Sequence, residues 1–141
     1  MREVDVKVIT DLVSEMCMEA NYQLSSDVKQ VLSDAQSNEK SELGKNILLQ
    51  LQKNLLIAQQ DRIPICQDTG MAVFFFEIGQ EVHFSGGSLT EAINEGVRRG
   101  YREGFLRKSV VKDPLIRENT GDNTPAIVYY DIVSGDRIQI T

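Results

Sequence analysis

The sequence contains few residues that bind metals or form cross-links: two cysteines, Cys17 and Cys66, and one histidine, His83, among 141 residues. Two cysteines are too few for the disulfide framework of a small secreted domain, so reduced thiols in a reducing compartment fit best. No apolar run approaches the roughly 20 residues that span a bilayer, and no apolar signal core follows the N-terminus. We therefore expect a cytoplasmic protein without a membrane segment.

Positive charge is also scarce in this chain. Fifteen lysines and arginines stand against 21 aspartates and glutamates, which gives a net charge of -6. Because phosphate contacts need a basic surface, nucleic acid and membrane surfaces are excluded as general partners. The hydrophobic fraction of 41% is ordinary for a globular protein, and a chain of this length can bury a sizeable core. We expect a single domain over residues 1–141.

Apolar residues recur at helical spacing in four segments. The sequence predicts helices over residues 5–20, from the cap Ser25-Ser26-Asp27 onward, over residues 38–58, and from the capping box Ser88-Leu89-Thr90-Glu91 onward. Cys17 lies on the apolar stripe of the first helix, so we expect a buried, inert thiol. In the fourth helix Gly96, Gly100 and Gly104 recur every fourth residue, which predicts that another backbone passes close to that face.

Short aromatic and β-branched segments predict the strands. Residues 71–78 indicate a strand buried on both faces, and residues 81–84 indicate a second strand. Residues 126–133 and 137–141 predict a hairpin around Ser134-Gly135-Asp136. The expected fold class is α+β, in which N-terminal helices pack with a small, largely antiparallel sheet and one glycine-marked helix.

The segment best suited to chemistry is Pro64-Ile65-Cys66-Gln67-Asp68-Thr69-Gly70. It places a thiol, an amide, a carboxylate and a hydroxyl in consecutive positions, followed by a glycine that permits a tight turn or the close approach of a ligand. Cys66 could be a nucleophile, a ligand of a metal or cluster, or a structural residue. His83 is the only histidine that could activate a nucleophile, and the chain has too few Cys and His residues for a structural zinc site. An iron–sulfur cluster on Cys66 would need ligands from outside these 141 residues.

Basic residues crowd the end of the fourth predicted helix against a single acid, Glu103. They are Arg98, Arg99, Arg102, Arg107, Lys108 and Lys112. Cations there complement the helix dipole, but arginine also matches a carboxylate with two hydrogen bonds. Asp68 could then move protons while an arginine holds an anionic substrate. The polar stretch that follows, Asn119-Thr120-Gly121-Asp122-Asn123-Thr124-Pro125, indicates by itself only an ordinary turn.

Three segments in this order carry a family resemblance. They are Ile65-Cys66-Gln67-Asp68-Thr69-Gly70 before an aromatic strand, the glycine-marked helix ending Phe105-Leu106-Arg107, and Asn119-Thr120-Gly121-Asp122-Asn123-Thr124-Pro125-Ala126. Over essentially the whole chain the sequence resembles the N-terminal part of the iron–sulfur hydro-lyases, class I fumarate hydratase and L-tartrate dehydratase. The opening Arg2-Glu3-Val4-Asp5-Val6 is similar to the start of the separate alpha subunit in the two-subunit forms.

The resemblance implies reversible hydration of fumarate to (S)-malate at a [4Fe-4S] cluster that is held by three cysteines and leaves one iron open to the substrate. Cys66 matches the first cluster ligand, Gln67 a substrate-binding residue, and Asp68 an acid/base residue that also contacts substrate. Arg107 matches an arginine that binds a substrate carboxylate. Thr69 falls among the catalytic residues, and the loop of residues 119–124 is implied to line or support the same site.

In that family the alpha region continues through two further cluster cysteines, and a beta subunit or C-terminal domain adds catalytic residues. We therefore expect this chain to be an N-terminal fragment that neither assembles the cluster nor turns over alone. It would work in a hetero- or homo-oligomer on a small dicarboxylate. The alternatives are an L-tartrate dehydratase alpha subunit and, in another class, a non-enzymatic dicarboxylate-binding or assembly module.

Overall fold

The computed structural model of the protein describes residues 1–65 and 70–141, so Cys66, Gln67, Asp68 and Thr69 lie outside the described residues. Within the described ranges the chain forms five strands and four helices. They are β1 (Arg2–Asp5), α1 (Val6–Tyr22), α2 (Ser26–Asn38), α3 (Glu42–Asp61), β2 (Val73–Gly79), β3 (Val82–Ser85), α4 (Leu89–Glu103), β4 (Ile127–Val133) and β5 (Ile138–Ile140). The predicted α+β class is confirmed.

The chain divides into two compact units, one formed by Met1–Cys17 with Thr69–Thr141 and the other by Met18–Asp68. The first unit contains all the described strands, α4 and most of α1, and the second contains α2 and α3. The single domain expected over residues 1–141 stays a prediction. None of the helices in the described ranges is long and apolar enough to cross a membrane.

The larger sheet of the first unit is built around β2, with the strand order β4-β2-β5. β2 runs parallel to β4, from Val73 opposite Ile127 to Gly79 opposite Val133, and antiparallel to β5. A second, smaller sheet pairs β1 with β3, again in parallel. The expectation of a largely antiparallel sheet is therefore wrong, because parallel pairing dominates among the described strands.

The last two strands do not form the predicted hairpin. β4 and β5 lie on opposite sides of β2, and the connection through residues 134–137 passes around the end of β2. The backbone N–H of Gly79 donates to the Arg137 carbonyl at 2.7 Å, and that of Glu81 donates to the Gly135 carbonyl at 3.0 Å. A β-carbon at Gly79 would overlap the Gly135 carbonyl. The chain does bend at Ser134-Gly135-Asp136, as predicted. The bend connects β4 to β5 on the other side of β2, so that the two strands do not pair with each other.

β2 buries one face and exposes the other. Phe74, Phe76 and Ile78 are buried, whereas Val73 is 43% exposed and Phe75 is 54% exposed. The predicted burial on both faces is therefore wrong. Apolar side chains occupy the exposed positions as well as the buried ones, which hides the alternation of a half-buried strand from the sequence.

Helices α1 and α4 approach each other closely in the first unit. A β-carbon at Gly96 would lie 2.7 Å from the Thr10 carbonyl oxygen and 2.7 Å from the Val13 side chain. One at Gly100 would lie 2.7 Å from the Ser14 carbonyl oxygen. The backbone that the glycine spacing predicts beside α4 is therefore α1, and the prediction is confirmed at these two positions.

The core of the first unit draws its buried side chains from α1, β2 and α4. The largest contributors are Val6, Ile9 and Val13 from α1, Phe74, Phe76 and Ile78 from β2, and Ile93, Val97 and Tyr101 from α4. α4 begins as the capping box predicts, with the Ser88 hydroxyl accepting the Glu91 N–H at 3.4 Å. Phe105 continues the apolar stripe of α4 in the sequence, but it lies beyond the helix and is 87% exposed.

The second unit consists of α2 packed on α3 and buries little apolar surface. The Gln52 side chain on α3 donates to the Gln36 side chain at 2.9 Å and to the Leu32 carbonyl at 3.3 Å, both on α2. α3 buries Leu55 and Ala58. The apolar face expected to be buried on α2 is not, because none of its residues falls in the buried class.

Replacing Gly96 or Gly100 by alanine is expected to destabilise the chain by about 1–3 kcal/mol, because the new methyl group must push two helix backbones apart. Urea unfolding followed by far-ultraviolet circular dichroism measures the change. Gly44→Ala in α3 is the matched control, since a β-carbon there meets only the flexible Glu39 side chain. Alanine is intrinsically better than glycine in a helix, by about 1 kcal/mol. A stabilising Gly96→Ala variant would contradict the close approach.

Candidate functional site

The described residues contain part of the predicted site. Arg107 and the loop of residues 119–124 are present, and both belong to the first unit. Cys66, Gln67, Asp68 and Thr69, which carry the predicted cluster ligand and the predicted acid/base chemistry, lie outside the described residues. Their predicted roles stay predictions.

Arg107 stands directly after the turn that ends α4. Phe105 adopts a left-handed backbone conformation with φ of 54°, and the Leu106 N–H returns to the Tyr101 carbonyl at 3.0 Å. This is the hydrogen-bond pattern that commonly satisfies the last carbonyls of a helix. Leu106 is buried and Arg107 is exposed. The turn therefore anchors the chain through one residue and presents the guanidinium of the next to solvent.

Most of the basic residues around the end of α4 already have a carboxylate partner. The pairs are Arg98–Glu95 (2.9 Å), Arg99–Asp11 (2.7 Å), Arg102–Glu103 (3.6 Å) and Lys112–Glu118 (2.6 Å). Within residues 1–65 and 70–141, Arg107 and Lys108 have none, and both are exposed. These two residues are the members of the basic cluster that remain available to an anion.

A buried asparagine fastens the polar loop to the Arg107 segment. Asn123 is completely buried, and its side-chain oxygen accepts the Ser109 N–H at 2.6 Å and the Val110 N–H at 3.0 Å. Its side-chain nitrogen donates to the Gly70 carbonyl at 3.4 Å. One amide therefore joins the end of the Cys-Gln-Asp-Thr-Gly segment to the residues that follow Arg107. Asn123 thus links Gly70, residues 109–110 and the polar loop within the first unit.

Further hydrogen bonds from the polar loop hold the same stretch of chain. The Asn119 side chain donates to the Lys108 carbonyl at 3.1 Å, and the Thr120 N–H donates to the Val110 carbonyl at 2.9 Å. The loop can make these contacts because Gly121 and Asn123 both adopt positive φ, 84° and 63°, a conformation open to glycine and asparagine. Residues 108–110 are thus held along their backbone while the side chain of Arg107 stays exposed.

Asp122 in this loop carries a negative charge rather than a mobile proton. Burial acts to raise its pKa, but hydrogen bonds from the Thr124 N–H (2.9 Å) and hydroxyl (2.8 Å), with the nearby Arg98 guanidinium, bring the pKa below its usual value. A carboxyl group with a lowered pKa stays ionised near neutral pH. Asp122 therefore organises the loop and is a poor candidate for the proton donor.

The two cysteines differ in their fitness as ligands. Cys17 is 6% exposed on α1, as predicted, and burial raises the pKa of its thiol to about 12. Metals and iron–sulfur clusters bind the thiolate, which this environment disfavours. Within residues 1–65 and 70–141 no three Cys, His, Asp or Glu residues are grouped as a metal site. Cys66 is therefore the cysteine of this chain that remains a candidate for a cluster.

The sequence matches the family model described as "Fumarate hydratase (Fumerase)" over residues 10–141. The chain belongs to this family. "Putative L(+)-tartrate dehydratase subunit alpha" of Methanocaldococcus jannaschii is 40% identical over 124 residues, which are 84% of this chain and 43% of that protein. "Fumarate hydratase class I, anaerobic" of Escherichia coli K12 is 34% identical over 137 residues, which are 95% of this chain and 25% of that protein.

The names of these relatives indicate the reaction class of the family, and their lengths show how much of a whole relative this chain covers. "L(+)-tartrate dehydratase subunit alpha" of Escherichia coli UTI89 is 25% identical, covering 96% of this chain and 45% of that protein. Fumarate hydratases and tartrate dehydratases are hydro-lyases, so the chain belongs to a hydro-lyase family. It spans less than half the length of the curated relatives that it matches.

The sequence interpretation did not single out Asn123. It included this residue only as part of a polar loop that the resemblance implies lines or supports the site, although an asparagine after Gly121-Asp122 favours a positive φ and therefore a special backbone position. Nothing in the local pattern indicates that its amide is completely buried. Local composition did not distinguish Arg107 and Lys108 from the four basic residues that carry carboxylate partners, and only the family resemblance singled out Arg107.

The stability of the chain is expected to fall above about pH 9, because the Cys17 thiol is held neutral in the folded state. Its pKa is raised from 9.0 to about 12, so the folded chain keeps a proton that the unfolded chain releases. The stabilisation is complete below the unfolded pKa and is lost as the pH rises toward the folded one, by at most about 1.4 kcal/mol per pH unit. Urea unfolding under reducing conditions, at a series of alkaline pH values, measures this slope.

Cys17→Ala should flatten the slope, and Cys66→Ala should leave it unchanged. The pKa of Tyr101 is raised by burial and by the neighbouring Cys17, so Tyr101 contributes in the same direction and Cys17→Ala also removes part of its contribution. Equal slopes in Cys17→Ala and the parent chain would show that the thiol is not held neutral by burial.

Proposed function

We propose that this chain is the N-terminal part of the alpha subunit of a cytoplasmic hydro-lyase that interconverts fumarate and (S)-malate with a [4Fe-4S] cluster and a beta partner. Membership of the fumarate hydratase family supports the reaction class. The observation that carries the assignment to particular residues is the buried amide of Asn123. It joins Gly70, next to the proposed catalytic segment, to the residues that follow Arg107.

The substrate is a dianion, and its carboxylates need cationic partners. Arg107 is exposed and has no carboxylate partner in the described ranges, and the backbone that follows it is held by Asn119 and Asn123. A guanidinium on an anchored backbone binds a carboxylate with less loss of conformational entropy than one on a mobile loop. Arg107 therefore binds one substrate carboxylate, and Gln67 adds a hydrogen bond to the substrate.

Water addition across a double bond places a hydroxyl group on one carbon and a proton on its neighbour. A side chain must supply that proton for hydration and accept it for dehydration. Asp68, two residues before Gly70 in the sequence, has this acid/base role, and Thr69 beside it completes the catalytic segment. Proton transfer by a positioned side chain contributes typically about 10²–10⁴-fold to rate.

Cys66 is the cluster ligand that this chain supplies. The raised pKa of Cys17 supports that assignment by elimination, since a buried neutral thiol is a poor ligand. The remaining cysteine ligands come from outside these 141 residues. When bound, the cluster supplies a Lewis acid for oxygen atoms of the substrate.

A second candidate is dehydration of L-tartrate by the same residues. It is favoured by the 40% identity to the Methanocaldococcus jannaschii protein, against 34% to the fumarate hydratase of Escherichia coli K12. Both substrates carry two carboxylates, so the proposed roles of Arg107 and Asp68 are the same for either. Parallel assays on fumarate, (S)-malate and L-tartrate separate the two candidates.

The test is reconstitution of the complete alpha chain, co-expressed with its beta partner, using iron and sulfide without oxygen. The parent should form a cluster and consume fumarate, followed by its absorbance. Cys66→Ala should lose both the cluster absorbance and the activity, whereas Cys17→Ala, the matched thiol control, should keep both. Asp68→Asn should keep the cluster absorbance and lose most of kcat. A Cys66→Ala enzyme that still forms the cluster and hydrates fumarate would overturn the ligand assignment.

Arg107→Ala is expected to raise KM for dicarboxylates by about ten- to a hundredfold, the range for losing one charge-assisted contact. Arg102→Ala is the matched control, because Arg102 is exposed near the end of the same helix and pairs with its neighbour Glu103. It should change KM little. Equal effects of the two substitutions would point to the general positive charge at the helix end instead of a specific contact.

A further inference from the structure

We propose that the outer face of the larger sheet is a docking surface for the rest of the alpha subunit, which covers it with a helix that carries an apolar stripe and a lysine or arginine. The outer face is the side of β2, β4 and β5 opposite the buried Phe74, Phe76 and Ile78. This inference rests on the proposed function, because it takes the chain to be the N-terminal part of a longer subunit. It concerns residues of the first unit alone.

Aromatic and aliphatic side chains form one half of the outer face. The parallel register sets Val73 beside Ile127 and Phe75 beside Tyr129. The rings of Phe75 and Tyr129 stack, with centroids 5.1 Å apart and planes inclined by 10°. All four side chains are exposed, from 37% for Ile127 to 56% for Tyr129. Contiguous exposed apolar side chains of this kind, bordered by polar ones, mark an interaction surface.

The parallel pairing of β2 with β4 makes an exposed face unusual. Parallel strands occur mostly in sheets that are covered on both faces, because the connections between such strands pack over the sheet. β2 and β4 are parallel over their whole length, but β2 buries only the face that carries Phe74 and Phe76. Residues 1–65 and 70–141 therefore supply one of the two layers that parallel strands normally have.

Two carboxylates continue the outer face beyond the stacked rings. Glu77 and Asp131 are direct neighbours in the register of β2 and β4, and both are exposed. Like charges at neighbouring positions of two strands repel each other. In the described ranges neither carboxylate has a cationic partner. A lysine or arginine in the covering segment removes this repulsion while its apolar side chains cover the rings.

The spacing of the rings and the carboxylates fits a helix that lies along β2. Phe75 and Glu77 are two residues apart on the same face of the strand, a distance of about 6.6 Å. One turn of an α-helix advances by about 5.4 Å. A helix whose aliphatic side chains contact the rings therefore reaches the carboxylates with a side chain three or four residues further on.

A second copy of this chain is a poorer occupant of the outer face than the rest of the subunit. The same face of a second copy would bring only apolar side chains, the acids Glu77 and Asp131, and the neutral Gln139. Packing two such faces together would bury carboxylates without a cation, which is costly. The charge of the face therefore favours a segment of different sequence.

The position of Thr141 favours a segment of the same subunit. Its backbone N–H donates to the Phe75 carbonyl at 3.0 Å and its carbonyl accepts the Phe75 N–H at 2.9 Å, so it lies beside the stacked rings. In the proposed longer subunit the polypeptide that follows Thr141 leaves the sheet at this patch, and connections between elements are usually short. The curated relatives named as alpha subunits are more than twice as long as the stretch that aligns with this chain.

Oxidation of side chains by hydroxyl radicals, read by mass spectrometry, measures whether the outer face is covered. Phe75 and Tyr129 should be oxidised readily in the chain of residues 1–141. In the complete alpha chain their oxidation should fall to the level of Phe76, the matched control, which is buried in the same strand. Oxidation that stays unchanged in the complete alpha chain would overturn the proposal.

The same experiment identifies other occupants. Protection of Phe75 and Tyr129 that is already present in residues 1–141 at low concentration would assign the face to the helices of the second unit. Protection that appears as the concentration of this chain rises would assign it to a second copy, and protection that needs the beta partner would assign it to that subunit. Each of these three results would overturn the proposal.

Glu77→Lys is expected to have opposite effects in the two proteins. In residues 1–141 it replaces a repulsion by an attraction to Asp131, so the unfolding temperature should rise by about 1–5 °C. In the complete alpha chain it sets a cation against the cation of the covering helix, so the unfolding temperature should fall by about 5–15 °C. Thermal unfolding followed by circular dichroism measures both shifts.

Glu15→Lys is the matched control for this charge reversal, because Glu15 is exposed on α1, away from the outer face. It should shift the unfolding temperature in the same direction in both proteins. A rise in the complete alpha chain with Glu77→Lys would contradict the proposed cation. The oxidation experiment needs no variant and decides the matter if Glu77→Lys does not fold in the complete chain.

Failure of this inference is distinguishable from failure of the proposed function. If the complete alpha chain with its beta partner hydrates fumarate while Tyr129 is oxidised as readily as in residues 1–141, the proposed function stands and the docking surface is wrong. If Phe75 and Tyr129 are protected but the reconstituted enzyme acts on neither fumarate, (S)-malate nor L-tartrate, the docking surface stands and the proposed reaction is wrong.

Discussion

The contact between α1 and α4 determines the arrangement of the first unit. Without a side chain at Gly96 and Gly100, the backbone carbonyls of α1 come within 2.7 Å of where a β-carbon would stand. Val13 and Val97 are completely buried on the two helices. Because α4 is held along this face, the place where it ends is also fixed, and with it the turn that presents Arg107.

The sequence predicts the helices well and the sheet poorly, for a physical reason. Helical periodicity and capping are local, so α1, α3 and α4 lie within a few residues of their predicted bounds, and the Ser88 cap forms as expected. Strand pairing is not local. β2 pairs with strands that lie far along the chain, and the turn residues at 134–136 are equally consistent with a hairpin and with a bend around a third strand. Only the pairing itself distinguishes the two.

In the candidate site, too, local features could be predicted from the sequence and contacts between distant residues could not. The unusual composition of the Cys-Gln-Asp-Thr-Gly segment and the density of arginines are visible in the sequence, and they direct attention to the right regions. Which basic residues are neutralised depends on partners such as Asp11, which is 88 positions away from Arg99. The buried amide of Asn123 depends in the same way on Gly70, 53 positions away. A single sequence carries no direct signal for such contacts, so the linkage between the segments had to come from the structure.

The central position of β2 has a consequence for how the chain emerges from the ribosome. β2 is complete at Gly79, but β4 begins only at Ile127 and β5 at Ile138. The helices of the second unit are neighbours in sequence and can pack as soon as they are synthesised, whereas the larger sheet must wait for the last residues of this stretch. Phe74, Phe75 and Phe76 therefore have no partner strand in this sheet until the chain has reached Ile127, 48 residues beyond the end of β2. An unpaired apolar strand of this kind favours aggregation while it waits for its partners.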